Sequence, residues 1–301
     1  MAEISYTIII PHYNIPELLV RCLKSIPVRD DIQVIVIDDC SPNADTYFDR
    51  FPELSRPYLE YYSTPQGGSA GRARNIGLDH AKGKWLIFAD ADDFFTPCFD
   101  QILTEYAQSD YDIVFFSANS LDTDTYRNSN RDNYYCGLVD DYLVTGYDYQ
   151  LRYKFDVPWA KMVKRELVET NGIKFQETLR SNDVAFSYLS GYYAKKIFAD
   201  KRAIYCVTTR ENSTSTNESF EAIKARMFVI LSKYAFLREK GLSPDYPDQI
   251  TQIIIKTRLN SERIALMEMI NQFNINRTTL NSHILIYYLK VLVRPIVNLF
   301  R

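Results

Sequence analysis

Residues 85–93 read WLIFADADD, an apolar run that ends in a group of carboxylates. The uninterrupted apolar side chains from Trp85 to Ala89 predict a strand that is buried on both faces. Placing the carboxylates of Asp90, Asp92 and Asp93 directly after it is electrostatically costly unless a cation is shared between them. This stretch therefore predicts a buried strand with a candidate cation site at its carboxyl end.

Segments on either side of this stretch alternate between apolar strands and amphipathic helices. Strands are predicted at Tyr6–Ile10, Ile32–Ile37, Leu59–Tyr62 and Ile113–Ser117, and helices at Glu17–Ser25, Thr46–Phe51, Gly71–Lys82 and Phe99–Gln108. Apolar strands that alternate with helices predict an α/β fold with a largely parallel sheet. Ligands bind such sheets beyond the carboxyl ends of the strands, where this chain places its unusual polar residues.

The later part of the chain has a different pattern. Residues 119–135 are polar with little periodicity, which predicts a long surface loop of the kind that acts as a lid or binding loop. A strand is predicted at Ala203–Thr208. Helices are then predicted at Glu218–Lys240, Pro247–Phe273 and His283–Phe300.

Composition and charge exclude several classes of protein. The chain has 301 residues, 46% hydrophobic and 24% charged, which is typical of a globular protein and not of a disordered one. The formal net charge of −3 provides no general basic field, so nucleic acid is not an expected partner. The 5 cysteines include no CxxC pair and favour a reducing compartment. The 3 histidines are dispersed, which favours a carboxylate as any general base.

The two ends of the chain bear on its location. The first residues lack the basic segment of a signal peptide, and no apolar stretch reaches the roughly 18 residues of a membrane span, so a cytoplasmic protein is expected. The helix predicted over residues 283–301 carries Lys290, Arg294 and Arg301 on one stripe beside an apolar face. This pattern predicts peripheral contact with the inner face of the membrane, docking onto the rest of the chain, or a homodimer.

The first predicted strand is followed by PHYN at residues 11–14, a turn without glycine. A dinucleotide-binding fold needs a glycine-rich turn here, so an NAD-dependent oxidoreductase is disfavoured. The second strand ends in Asp38 and Asp39, whose carboxylates could accept hydrogen bonds from a ribose or a base. A solvated turn is the alternative interpretation of these two residues.

A glycine-rich loop precedes the helix that begins near residue 71. It contains Gly67, Gly68 and Gly71 and leads into Arg72 and Arg74. Glycines allow close approach of a ligand to the backbone, and a helix N-terminus with arginines attracts phosphate. The loop lacks the lysine of a P-loop, and an ordinary flexible turn is the alternative.

In this order the motifs resemble the family-2 glycosyltransferases, which have the GT-A fold. The residues that carry the resemblance are PHYN at 11–14, DDCS at 38–41, GGSAGRARNIG at 67–77 and DADD at 90–93, with a looser match from PWAK at 158–161 to Asn182 and Asp183. The resemblance implies a nucleotide-sugar-binding fold with a mostly parallel sheet between helices. The implied domains are a catalytic domain over 1–212, with a donor half (1–117) and an acceptor half (118–212), and a C-terminal helical region over 213–301.

The resemblance places the donor nucleotide on the first half of the chain. It implies Mn²⁺ or Mg²⁺ held by Asp92, the more direct ligand, and Asp90, because oxygen ligands suit these ions and a cation stabilises the leaving diphosphate. The residues that it implies at the nucleotide are Pro11, Tyr13, Asp39 or its neighbour Asp38, Gly68, Arg74 and Asp90.

The acceptor site follows from a Glu-Asp pair of the family, which reads Asn182-Asp183 here. The resemblance implies that Asp183 is the general base, with the alternative that it only caps the helix Val184–Tyr192. Acceptor contacts are expected from Trp159, Lys161 and Asn182, although packing is the alternative for Trp159. His12 departs from the family pattern and is expected either on the surface or at the nucleotide.

The predicted function is that of an inverting, metal-dependent glycosyltransferase of the hexosyltransferase type. Its donor would be a nucleotide sugar, with a UDP-sugar favoured, and its acceptor a hydroxyl of a glycan or lipid-linked glycan in surface polysaccharide synthesis. A non-catalytic nucleotide- or glycan-binding protein on the same fold is the alternative, suggested by Asn182. A sugar-phosphate nucleotidyltransferase is disfavoured because its glycine-rich start is absent.

Overall fold

The structure is a computed structural model that describes residues 3–42, 44, 59–64, 66–210, 219–242, 248–257, 259–273 and 280–282. The chain divides into two compact units. One unit comprises Met1–Thr178 with Asn182–Ser213, and the other comprises Leu179–Ser181 with Thr214–Arg301. The predicted helices at Thr46–Phe51 and His283–Phe300 and the predicted domain boundary after residue 212 lie outside the described residues.

One mixed sheet organises the first unit. Its strands are β1 (Tyr6–His12), β2 (Ile32–Asp38), β3 (Leu59–Ser63), β4 (Trp85–Phe88), β5 (Phe94–Phe95), β6 (Ile113–Asp122), β7 (Lys161–Lys164) and β8 (Ile197–Thr209). They lie in the order β3-β2-β1-β4-β7-β6-β8-β5. Strand β1 pairs in parallel with β2 and β4, β2 pairs in parallel with β3, and β6 pairs in parallel with β8. Strand β7 is antiparallel to β4 and β6, and β5 is antiparallel to β8. The predicted α/β class with a largely parallel sheet is confirmed.

Helices of the first unit connect these strands. They are α1 (Pro16–Ser25), α2 (Ala70–His80), α3 (Phe99–Tyr106), α4 (Asn133–Thr145), α5 (Tyr149–Lys154), α6 (Arg165–Thr170) and α7 (Val184–Tyr193). Two of them begin as the sequence indicates. Helix α1 has Pro16 in its first turn, where a missing N–H costs nothing. The Ser69 side chain caps α2 by accepting a hydrogen bond from the N–H of Arg72 at 3.3 Å.

The surface loop predicted over residues 119–135 is correct only in its middle part, because both of its ends belong to regular structure. Strand β6 continues to Asp122, and helix α4 begins at Asn133. The polar end of β6 is strand because it pairs in parallel with β8, with Ser120 opposite Val207. This partner lies far along the chain, so the polar residues form a regular ladder where their own sequence indicated a loop.

The core of the sheet fixes the positions of the strand ends. Strand β4 is buried along its whole length, and it pairs in parallel with β1, which pairs in parallel with β2. Parallel strands direct their carboxyl ends to the same edge of a sheet. His12, Asp38 and the turn that begins at Asp90 therefore meet at one edge.

The second unit contains three described helices, α8 (Phe220–Glu239), α9 (Asp248–Lys256) and α10 (Asn260–Gln272). The single helix predicted over Pro247–Phe273 is wrong, because α9 ends before Thr257. The Arg263 guanidinium donates to the carbonyl of Thr257 at 2.6 Å, in place of a helical N–H. A small apolar core includes Met227, Leu231 and Leu266. None of the described helices is long and apolar enough to span a membrane.

Candidate active site

A buried histidine–aspartate pair joins the ends of β1 and β2. His12 Nδ1 lies 2.7 Å from Asp38 Oδ2, and neither side chain is exposed. Because the N–H of Ile15 donates to His12 Nε2 at 3.2 Å, Nδ1 carries the proton and donates to Asp38. The N–H and Oγ of Ser41 each donate to Asp38 at 2.7 Å. The expectation of a surface position for His12 is therefore wrong.

Asp38 is a structural carboxylate of this turn. Burial by itself raises the pKa of Asp38, but hydrogen bonds from His12 and Ser41 outweigh this and hold the pKa below its ordinary value. Its complete burial corrects the expectation that Asp38 could contact a nucleotide directly. Of the two neighbouring aspartates, only Asp39 has an exposed fraction that a ligand can reach.

Asp39 connects the end of β2 to the glycine-rich loop. Its Oδ1 accepts hydrogen bonds from Thr64 Oγ1 at 3.0 Å and from the N–H of Gly68 at 3.1 Å. Tyr13 is 57% exposed at the same edge, and Pro11 precedes it at the end of β1. The structure thus leaves Pro11, Tyr13 and Asp39 available to a ligand, and their contact with a nucleotide stays a prediction.

Gly71 allows the loop that precedes α7 to lie directly against α2. A Cβ atom placed on Gly71 would lie 2.1 Å from the carbonyl oxygen of Gln176 and 3.0 Å from Cβ of Asn182. The first of these is a backbone atom, which cannot rotate away. Gly71 is therefore needed for the close approach that brings Asn182 to the donor side of the site.

We expect Gly71→Ala to destabilise the protein, although alanine is the better helix former by roughly 1 kcal/mol. The added methyl group must displace the backbone of Gln176 and the side chain of Asn182, and overpacking of this kind costs about 1–3 kcal/mol. The matched control is Gly137→Ala in helix α4, where nothing lies within 4 Å of the new Cβ. Urea unfolding should show a lower midpoint for Gly71→Ala and an equal or higher one for Gly137→Ala. Equal stability of Gly71→Ala and the native chain would contradict this packing role.

The carboxylates after β4 have distinct surroundings. Arg74 Nη2 donates to Asp90 Oδ1 at 2.6 Å, and Arg210 Nε donates to Asp92 Oδ2 at 3.0 Å. Asp93 is buried, and its carboxylate accepts hydrogen bonds from the hydroxyl of Tyr205 at 2.9 Å and the N–H of Thr208 at 2.6 Å. Asp90 and Asp92 therefore remain partly open, at 29% and 22% side-chain exposure, whereas Asp93 is a buried anchor.

These surroundings make the negative charge of the turn costly. Burial raises the pKa of Asp92, and the neighbouring Asp90 raises it further. Burial and the charges of Asp92 and Asp90 raise the pKa of Asp93 well above its ordinary value. A positive charge added beside Asp90 and Asp92 would relieve this repulsion.

Arg210 is a site residue that the sequence analysis missed. It follows β8 and has no motif around it that marks it as functional. Only the parallel pairing of β6 with β8, and the antiparallel pairing of Phe94 with Cys206, bring the end of β8 to the carboxylate turn. Its side chain is 31% exposed, and its guanidinium adds a positive charge beside Asp92.

The residues of this turn fit a divalent cation that is also bound by phosphate. Within the described part of the chain, no group of three His, Cys, Asp or Glu side chains converges to hold a metal by itself. Mg²⁺ and similar ions need only one or two carboxylates when phosphate oxygens and waters supply the other ligands. Asp90 and Asp92 provide such a pair, with mutual repulsion that a cation would remove.

Asp183 stands at the N-cap position of α7, but its side chain makes no capping hydrogen bond. Its carboxylate is thus not used to satisfy the helix N-terminus, which was the alternative interpretation. Burial raises the pKa of Asp183 to about 6, with Arg74 acting in the opposite direction and Asp90 and Asp156 adding to the rise. A carboxylate with a pKa near neutrality is suited to general base catalysis.

Arg74 joins the two halves of the site. Besides its contact with Asp90, its Nη1 donates to Oδ1 of Asn182 at 2.8 Å. Asn182 precedes Asp183 directly, so one guanidinium connects the carboxylate turn after β4 with the turn that carries the candidate base. The structure therefore brings together Arg74, Asp90, Asn182 and Asp183 as one cluster.

Two of the predicted acceptor contacts are wrong. Trp159 is 2% exposed and packs parallel to Tyr205, with ring centroids 5.8 Å apart. Lys161 is also 2% exposed, and its ammonium donates to the carbonyl of Phe155 at 3.1 Å and to Ser187 Oγ at 3.0 Å. Lys161 thus connects the interior to Ser187 of α7, and Trp159 packs among aromatic rings, so neither side chain reaches an acceptor.

Comparison with known proteins gives the family. The family model described as Glycosyl transferase family 2 matches residues 7–172. The chain belongs to glycosyltransferase family 2. Putative glycosyltransferase EpsH of Bacillus subtilis is 20% identical over 266 residues, which cover 83% of this chain and 74% of EpsH. The uncharacterized glycosyltransferase EpsJ of the same organism is 27% identical over 227 residues, 70% of this chain and 62% of EpsJ.

Solved structures of other glycosyltransferases share the GT-A fold of this family-2 member. A TarS fragment from S. aureus in complex with UDP-GlcNAc has a TM-score of 0.67 at 18% identity, and the match covers 89% of this chain and 80% of that chain. The mannosyltransferase PcManGT from Pyrobaculum calidifontis, in complex with GDP-Man and Mn²⁺, has a TM-score of 0.53 at 14% identity. That match covers 96% of this chain and 87% of the PcManGT chain. The GT-A fold and the family predicted from the sequence are confirmed.

Proposed function

We propose that this family-2 glycosyltransferase transfers a hexose from a nucleotide sugar, with a UDP-sugar favoured, to a hydroxyl of a glycan or lipid-linked glycan, with inversion at the anomeric carbon. The observation that carries the proposal is the cluster in which Arg74 links Asp90 to Asn182, directly before Asp183. This arrangement supports a site for the leaving diphosphate beside the candidate base. Two relatives support a role in surface polysaccharide synthesis: the minor teichoic acid biosynthesis protein GgaB of Bacillus subtilis and the poly(ribitol-phosphate) β-N-acetylglucosaminyltransferase TarS of Staphylococcus aureus.

The donor side would bind the nucleotide through Pro11, Tyr13, Asp39, Gly68 and Arg74. Arg74 has a buried Nε without a hydrogen-bond partner among the described residues, a donor that a ligand oxygen would satisfy. Arg210 would add positive charge beside the diphosphate. A divalent cation held by Asp90 and Asp92 would stabilise the negative charge that develops on the leaving group.

The acceptor side would use Asp183 as the general base. Its carboxylate would remove the proton of the acceptor hydroxyl while that oxygen attacks the anomeric carbon, and the nucleoside diphosphate would leave from the opposite face. Since the base acts in its ionised form, activity should rise with pH through a value near 6, the pKa to which burial raises this carboxyl. Peripheral membrane contact and a homodimer through residues 283–301 stay predictions of the sequence.

A nucleotide-sugar panel tests the proposed function. We expect slow hydrolysis of one UDP-sugar and faster transfer when a glycan acceptor is added, both measured as release of the nucleoside diphosphate. Thermal stability measured with UDP or GDP, with and without Mn²⁺, identifies the nucleotide independently of turnover. Binding without turnover of any sugar would support the non-catalytic alternative instead.

A further inference from the structure

The guanidinium of Arg74 is held on several sides. Its side chain is 6% exposed, and the guanidinium carbon lies 5.3 Å from the ring centroid of Phe175. Nη2 donates to the carboxylate of Asp90 and Nη1 to the side chain of Asn182. A buried positive charge in this position acts on every ionisable group around it.

Asn182 is itself held in place by the backbone. Its carbonyl oxygen accepts a hydrogen bond from the N–H of Gln176 at 3.0 Å, and Gly71 leaves the space for this segment. Because a guanidinium only donates hydrogen bonds, the amide of Asn182 must present Oδ1 and not Nδ2 to Arg74. Asn182 thus supplies an acceptor of fixed direction that carries no charge.

Asp183 is surrounded by groups from four parts of the fold. Arg74 faces it from α2, Asp90 from the turn after β4 and Asp156 from the segment after α5, while Tyr135 of α4 lies near enough to be affected by its charge. Two of these groups are carboxylates that disfavour the ionised base. Arg74 opposes them, and a carboxylate at position 182 would offset its positive charge.

We propose that Asn182 is a positioning residue that orients Arg74 without neutralising its charge. The guanidinium charge then keeps Asp183 ionised, and the enzyme active, at a lower pH than a carboxylate at position 182 would permit. The inference rests on the proposed role of Asp183 as the base. It gives a function to the asparagine that replaces the family's glutamate, the departure that had suggested a non-catalytic protein.

The isosteric variant Asn182→Asp tests this proposal, because it keeps the shape and the acceptor oxygen and adds one negative charge. We expect the acid limb of the pH dependence of kcat/KM to move up by about one pH unit, the size of shift that neighbouring charges cause. Asn182→Glu should move it in the same direction. Asn182→Ala removes the acceptor without adding charge. We expect it to lower kcat and to shift the acid limb of the pH dependence less than Asn182→Asp does.

A measurement without turnover makes the test independent of activity. The ¹³C carboxyl resonance of Asp183, assigned by its absence in Asp183→Asn, reports its titration directly. We expect the midpoint to rise in Asn182→Asp relative to the native chain. An unchanged midpoint and an unchanged acid limb in folded Asn182→Asp would overturn the proposal. If instead Asp183→Asn retained full activity, the role of Asp183 as base would be wrong, so the two failures are distinguishable.

Discussion

Asp183→Asn is expected to lower the rate of sugar transfer by about 10²–10⁴, the contribution of a positioned general base. The asparagine has nearly the same shape, but it cannot accept the proton of the attacking hydroxyl. Nucleotide affinity should barely change, because the side chains predicted at the nucleotide come from earlier in the chain. Single-turnover rates measure the first quantity, and calorimetric titration with UDP measures the second.

The neighbouring carboxylate provides a matched control for this variant. Asp156 faces Asp183, so Asp156→Asn removes a nearby negative charge without removing the proposed proton acceptor. We expect it to retain transfer and to shift the acid limb of its pH dependence downward. If Asp183→Asn lost nucleotide affinity in proportion to its activity, Asp183 would belong to the donor site or to the fold.

Asp92→Asn is expected to remove the dependence of nucleotide binding on a divalent cation. In the native chain UDP should bind weakly in EDTA, since Asp90 and Asp92 repel a diphosphate, and much more tightly in Mn²⁺. Loss of this carboxylate should weaken binding in Mn²⁺ by at least the roughly 10- to 100-fold seen when even a supporting residue of a metal site is removed. Calorimetry in both buffers measures the difference.

An exposed carboxylate serves as the control for the cation experiment. Asp110 forms an ion pair with the ammonium of Lys196 and its side chain is 72% exposed, so Asp110→Asn changes the net charge equally without touching the turn. It should keep the full effect of Mn²⁺. Equal affinity of the native chain for UDP in EDTA and in Mn²⁺ would contradict the assignment of a cation to Asp90 and Asp92.

The sequence predicts the elements whose residues are determined by burial. The apolar runs of β1, β2 and β4 appear as strands because their side chains are buried on both faces of the sheet. The polar end of β6 could not be predicted in this way, since its pairing partner in β8 is distant in the chain. Local periodicity carries no information about such a partner.

The same distinction between local sequence pattern and distant partner applies to the site residues. The carboxylate turn and Asp183 follow from motifs, but their partners depend on three-dimensional proximity. Asp38 and Asp39 are adjacent in sequence, and only the buried contact of Asp38 with His12 decides which of them a ligand can reach. A lysine is expected at the surface, but the ammonium of Lys161 donates to two buried acceptors, the carbonyl of Phe155 and Oγ of Ser187. The sequence does not show these acceptors.

The buried turn that carries Asp92 and Asp93 also affects the stability of the folded chain. In both residues the folded pKa lies above the ordinary value of 3.8, so the folded state binds a proton more tightly than the unfolded state does. The free energy of unfolding therefore falls as the pH rises from that value through the raised pKa, and the loss is greatest above it. Removing the charge of Asp92 would therefore stabilise the folded chain at neutral pH. Asp93 also supplies the acceptor oxygens for Tyr205 and Thr208, so a stabilising substitution there must keep an acceptor.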